Sequence, residues 1–203
     1  MNGKPQEGDI VSYKQELSEY SKRSFARGLV CGTGGNLSIR IPGSDTILIT
    51  PTGASLEDMT TDDAILVNLA GQIIDSPKGL KPSKEASFHL KAYEIRPDVQ
   101  ALAHLHPPYA TAYSNKETSL PLLTVSARAN LTYVPVVETA LPGSSELCDF
   151  VCGSLEQFPD VKAILMKEHG ILTLGGDLKT AYYLADLVED TAKIAFIEGN
   201  IRR

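Results

Sequence analysis

Three cysteines in 203 residues are too few, and odd in number, for a disulfide framework. Reduced thiols in a cytoplasmic setting are the expectation. Long apolar runs are also missing. No stretch approaches the roughly 20 residues a membrane helix needs, and the opening MNGKPQEGDIVSYKQEL has no apolar segment of the kind a secretory signal carries. No block of like charge stands out. The net charge of −6 argues against nucleic acid or an anionic membrane as the main partner. Internal repeats, low-complexity stretches and an interdomain linker are absent as well. The glycine-dense Gly32-Thr33-Gly34-Gly35 runs into a strand pattern, not a helix, so it is neither a Walker nor a Rossmann motif. With 42% hydrophobic and 22% charged residues, the chain reads as one globular domain able to bury a core.

Residues 1–10 read as a loose tail and 11–203 as the folded domain. Leu17, Tyr20, Phe25 and Leu29 form a one-sided stripe and predict a helix from Val11 to about Val30. Leu37–Ile41 and Thr46–Thr50, split by Pro42-Gly43-Ser44-Asp45, predict a β-hairpin. Ala64–Leu69 and Ile73–Asp75 flank a tight turn. Ser83 is a good cap for a helix ending near Arg96, before Pro97. Val99–Leu105 reads as a buried strand, and a helix starts near Pro108. Strands at 134–137, 161–166 and 171–174, a helix from Ser144 to about Phe158 and a long final helix capped by Asp177 complete the pattern. Hairpins mixed with helical crossovers imply an α/β domain with helices on both faces of a mainly antiparallel sheet. Cys148 and Cys152 share a helix face and read as core thiols.

Histidine is scarce too, with four in the chain, which makes their placement informative. In His104-Leu105-His106, strand geometry turns both imidazoles to the same side, close enough to share one ion. Neutral imidazole suits zinc and other first-row divalent metals. His169, before Gly170, is the natural third nitrogen. A glycine there allows a sharp turn and close backbone approach. His89, on the helix after Ser83, reads as structural or supporting. Glu85 lies in the first turn of that helix, where the dipole favours an anion; by position alone it is an ordinary helix-starting glutamate. Thr33, Asn36, Thr52 and Gly53 lie in hydroxyl- and glycine-rich turns at strand ends. Ser83 and Lys84 add a hydroxyl and a cation at a helix start, a setting that suits phosphate.

Taken in order, Gly34-Gly35-Asn36-Leu37-Ser38, Ile49-Thr50-Pro51-Thr52-Gly53, Lys81-Pro82-Ser83-Lys84-Glu85, His104-Leu105-His106-Pro107-Pro108-Tyr109-Ala110-Thr111-Ala112 and Glu168-His169-Gly170 resemble the class II aldolase/adducin family. Within it they are similar to the fuculose-phosphate aldolases. The resemblance spans Gly28 to about Gly199. It implies a three-layer α/β/α domain, assembled as a homotetramer with active sites between subunits. It implies one divalent metal ion, zinc first, with manganese or cobalt as alternatives, on His104, His106 and His169. Glu85 matches the acid/base that also ligates the resting metal. Thr33, Asn36, Thr52, Gly53 and Ser83 match the phosphate-binding positions.

The implied activity is cleavage of a carbon–carbon bond in a phosphorylated sugar through a metal-stabilised enediolate, with Glu85 moving the proton. Two departures stand out. Fuculose-phosphate aldolases read Pro-Ser-Ser-Glu, whereas Lys84 follows Ser83 here, as in relatives that decarboxylate 3-oxo-tetronate 4-phosphates. The family's active-site tyrosine has no match where Thr124, Val125 and Ser126 stand. Pentulose-phosphate epimerases carry aspartate at the Glu85 position and rank lower, beside a methylthioribulose-phosphate dehydratase. A non-catalytic adducin-like module need not keep all four metal-site residues.

Overall fold

The computed structural model describes residues 7–201. Helix α1 spans Glu7–Ala26. It begins four residues before the expected start, so part of the presumed tail is helical, and residues 1–6 lie outside the described range. It also stops short of Val30. Gly28 adopts φ +75, and Leu29 N–H turns back to the Ser24 carbonyl at 3.0 Å. Such a left-handed glycine ends a helix without the strain a side chain would bring.

The hairpin forms as expected, from β1 (Asn36–Arg40) and β2 (Thr46–Ile49). β3 (Ile65–Asn68) and β4 (Ile73–Asp75) extend it outward. The helix expected to start at Ser83 is α2 (Ala86–Ile95), with Glu85 at its cap position. Ser83 lies in the turn before it, where its Oγ accepts from Glu85 N–H at 3.2 Å. β5 (Ala101–Leu105) leads into the short α3 (Pro108–Ser114). A helix that the pattern did not foretell, α4 (Val125–Asn130), follows, capped by Thr124. Then come β6 (Val136–Val137), α5 (Ser145–Gln157), β7 (Ala163–Met166), β8 (Gly170–Gly175) and α6 (Leu178–Asn200). Ser144 and Asp177 cap α5 and α6 by accepting backbone N–H groups three residues on, which satisfies donors that a helix start leaves open.

The eight strands lie in the order β4-β3-β2-β1-β5-β8-β7-β6. Every pairing is antiparallel except β6 with β7. Strand parity splits the apolar residues into two cores. Leu37, Ile39, Ala103, Leu105 and Leu165 pack with residues of α1 and α6 on one face. Ile47, Ile49, Leu102, Ile164 and Leu172 pack with α2 and α5 on the other. Burying each such aliphatic side chain contributes about 1.5–3 kcal/mol, so both faces hold the sheet in place. Cys148 and Cys152 lie 3.8 Å apart at the margin of the second core, unbridged. Among the described residues, no helix is long and apolar enough to cross a membrane.

Candidate metal centre

β5 and the residue just past it carry two of the histidines, His104 and His106. The strand's parity sends Ala103 and Leu105 to one core and Leu102 to the other, and His104 follows Leu102 to the α2 face. His104 is fully buried, edge-on to Phe88 of α2 at a centroid distance of 5.4 Å. His106 lies just past the strand end, where its N–H bonds the Leu29 carbonyl at 2.9 Å. Pro107 and Pro108 then start α3, whose Tyr109 and Ala110 N–H groups are held by the Glu189 carboxylate of α6 at 3.1 and 2.8 Å. That clamp fixes the segment leaving His106.

His169 occupies the turn between β7 and β8. The left-handed residue of this turn is Glu168, at φ 57, and not a glycine. Its N–H is anchored by Asn115 Oδ1 at 2.8 Å. Gly170 answers the need for close approach: a Cβ there would collide with the Leu105 carbonyl oxygen and come within 2.7 Å of His106 Cδ2. Gly34 does the same from the opposite side, where a Cβ would lie 2.7 Å from His106 Nδ1. Two bare glycines thus make the slot for one imidazole.

Glu85, from the cap of α2, joins the three histidines. Its Oε2 lies 3.1 Å from His104 Nε2 and its Oε1 3.2 Å from His169 Nε2. His106 Nε2 lies 2.9 Å from His104 Nε2. One ligand atom from each of the four residues falls within 4.8 Å of all the others. The donor chemistry tests whether an ion fits. His104 Nδ1 lies 2.9 Å from the Ile171 carbonyl, which can only accept, so the ring proton belongs on Nδ1 and Nε2 presents a lone pair. That lone pair points at a carboxylate oxygen. Two buried acceptors facing each other need a shared positive charge. A proton can satisfy one pair, whereas a metal ion satisfies all four groups at once. The spacings of 2.9, 3.1 and 3.2 Å are close to the roughly 3–3.5 Å between ligand atoms around a zinc at ~2.1 Å. Glu85 Oε1 and His169 Nδ1 also lack hydrogen-bond partners.

The electrostatics follow from this packing. Burial pushes the Glu85 carboxyl up, but His104 and His169 beside it prevail and hold it well below the usual carboxylate range. Burial, with His104 and His169 adding to it, pushes His106 down to about 3. His89, wholly enclosed, falls to about 3 through burial and the nearby His104. Both rings are therefore neutral near pH 7, the form in which imidazole ligates.

A cleft of about 390 Å³ opens over the cluster, lined by Thr33, Asn36, Thr52, Gly53, Ser83, Lys84, Glu85, His106 and His169. An isolated bridge between Pro51 and Pro82, with Thr52 N–H bonding the Lys81 carbonyl at 3.0 Å, draws the two hydroxyl-rich turns together. Lys84 is exposed at the rim. Asn36 lies at the floor, 3% exposed. Its Nδ2 donates to Glu85 Oε2 at 2.9 Å, and its Oδ1 is 2.6 Å from His89 Nε2. Pro142 and Glu168 line the cleft too; Glu168 belongs to the Glu168-His169-Gly170 motif, which gave it no role of its own. Thr124 and Val125 serve the start of α4; Thr124 Oγ1 accepts from Ala127 N–H at 3.1 Å and Val125 is exposed. Among the described residues, a larger groove of about 570 Å³ beside Cys148 holds no comparable convergence of ligand atoms.

Four converging acceptors lie beneath a polar cleft, on a sheet covered by helices on both sides, and could hold a divalent ion. The chain belongs to the class II aldolase and adducin family: the profile of the Class II Aldolase and Adducin N-terminal domain matches residues 15–196. It is 36% identical over 190 residues to an L-fuculose phosphate aldolase of Methanococcus maripaludis, covering 92% of this chain and 99% of that one. It is 33% identical over 192 residues to a 3-oxo-tetronate 4-phosphate decarboxylase of Pectobacterium atrosepticum, covering 92% and 85%. A solved structure of L-fuculose 1-phosphate aldolase superposes with a TM-score of 0.86 at 31% identity, over 93% of this chain and 87% of that one.

Proposed function

We propose that this protein is a zinc-dependent lyase that cleaves a carbon–carbon bond in a phosphorylated ketose. The observation that carries the reading is the convergence of His104, His106, His169 and Glu85 under a hydroxyl-lined cleft. These four residues would hold the ion, which supplies Lewis-acid polarisation of a substrate carbonyl when bound. The turns bearing Thr33, Thr52, Gly53 and Ser83 offer hydroxyl and backbone donors to a phosphate, which holds the far end of the substrate in place. Glu85 is the only carboxylate among the four, and its Oε1 is free of hydrogen-bond partners. That oxygen takes or returns the proton at the carbon next to the carbonyl. Asn36, bonded through Nδ2, keeps the other oxygen in place.

Lys84 favours a second reading, decarboxylation of a 3-oxo sugar acid phosphate. Its exposed ammonium at the rim of the same cleft can pair with a substrate carboxylate as well as with phosphate. Both reactions leave negative charge on the carbon next to a carbonyl, so one site serves either.

A panel of ketose 1-phosphates, pentulose phosphates and 3-oxo-tetronate 4-phosphates separates the two, read for aldehyde and carbon dioxide. Aldehyde without carbon dioxide supports the aldolase, and carbon dioxide supports the decarboxylase. Neither product with zinc, manganese or cobalt supplied overturns both. We take the working form to be a homotetramer with sites between subunits. Leu141, exposed beside the cleft residue Pro142, supports an association surface there. A monomer mass by light scattering would remove that part of the proposal.

A further inference from the structure

Behind Glu85 runs a buried file of polar side chains. Tyr93 OH lies 2.8 Å from Ser38 Oγ, which lies 2.7 Å from His89 Nδ1. His89 Nε2 lies 2.6 Å from Asn36 Oδ1, and Asn36 Nδ2 donates to Glu85 Oε2 at 2.9 Å. Tyr93, Ser38 and His89 are 0% exposed, which leaves them dependent on one another for partners.

The order of protons along the file follows from its carboxylate end. Burial and the neighbouring His104 keep His89 neutral, so its ring has one donor and one acceptor. Asn36 Nδ2 donates to Glu85 Oε2; the reverse order would aim Asn36 Oδ1 there, an acceptor against a buried carboxylate, and such an unmade bond costs more than a neutral one. Asn36 Oδ1 therefore accepts from His89 Nε2–H, His89 Nδ1 accepts from the Ser38 hydroxyl, and Ser38 Oγ accepts from Tyr93 OH.

We propose that Tyr93, Ser38 and His89 are positioning residues: they fix which end of the Asn36 amide faces Glu85, and so hold the carboxylate in place for the ion. Oε2 takes the Asn36 hydrogen bond at 2.9 Å while facing His104 Nε2 at 3.1 Å, and Oε1 carries no hydrogen bond. The inference rests on the metal-centre reading of the site.

Two measurements test it. In ¹⁵N-labelled wild-type protein, two-bond proton–nitrogen correlation of the imidazoles should show His89 as the Nε2–H tautomer, its signals assigned by their loss in His89→Gln. An Nδ1–H tautomer overturns the proposal without any folding question. The second is zinc affinity, by competition with a chromophoric chelator. His89→Leu should weaken binding roughly 10–100-fold, the range for groups that orient metal ligands. His89→Gln, which keeps an N–H near the Nε2 position, should recover most of it. In an Asn36→Ala background, His89→Leu should cause no further loss, because its effect runs through Asn36. Equal loss in both backgrounds, or no loss in either, overturns the proposal. If His89→Leu does not fold, Ser38→Ala takes its place in the same cycle with the same expectations. A wild-type protein that binds no zinc overturns the metal-centre reading, while zinc bound with the wrong tautomer overturns only the file.

Discussion

Glu85 Oε2 and His104 Nε2 face each other at 3.1 Å, one from the cap of α2 and the other from the buried strand β5. Replacing the carboxylate by an amide tests what this pairing does. Glu85→Gln keeps the shape but removes the proton carrier. Turnover should fall roughly 10²–10⁴-fold, while the three histidines keep the ion. Elemental analysis of the variant beside steady-state rates checks both halves. Near-normal rates would remove Glu85 from its assigned role.

Stripping the ion should be reversible. Protein treated with chelator should lose activity and melt at a lower temperature, because an ion that binds only the folded chain stabilises it by mass action. Adding zinc should restore both. His106→Ala should need far more zinc to reach the same melting temperature. A melting curve indifferent to chelator would contradict the assignment.

Gly170 offers a steric test. A methyl group there would meet the Leu105 carbonyl and His106, and forced overpacking of this kind costs about 1–3 kcal/mol. Gly170→Ala should therefore lower stability by that amount and weaken zinc binding. Gly176→Ala, with nothing within 4 Å of the added carbon, should do neither. Denaturant unfolding of the two variants makes the comparison.

Acidification should expose His89. Its folded value is about 3 against an ordinary 6.5. Between those values the unfolded chain binds a proton that the folded chain refuses, so stability falls as pH drops. In metal-free protein, the loss between pH 6.5 and 4 should be steeper for wild type than for His89→Gln. Parallel curves would show that His89 takes no part in it.

The parts of this site that were legible in the sequence are those set by local geometry. Strand parity alone puts His104 and His106 on one side, and glycine-rich turns at 33–36 and 50–53 are visible as turns. Glu85 was not legible from position, since a glutamate starting a helix is commonplace. Its role depends on α2 docking against β1 and β5, which no local pattern encodes. Ser83 had the right chemistry for a cap, yet the helix starts later and Ser83 holds the Glu85 N–H instead. α4 escaped because six residues give too short a period to detect. The file behind Asn36 left a faint trace: Ser38 shares a strand face with Asn36, and Tyr93 lies one helical turn beyond His89. What joins them is a packing contact between distant segments.

The four candidate ligands come from three places: the cap of α2, the end of β5 and the turn between β7 and β8. β5 and β8 are already partners in the sheet, but Glu85 reaches them only from the layer above. An ion held by all three would act as a rivet through two layers, fastening α2 to the sheet at the point where the Glu85 carboxylate stands. Occupancy and catalytic alignment would then be one event, and a chain with its ion lost would be loosened first at the start of α2.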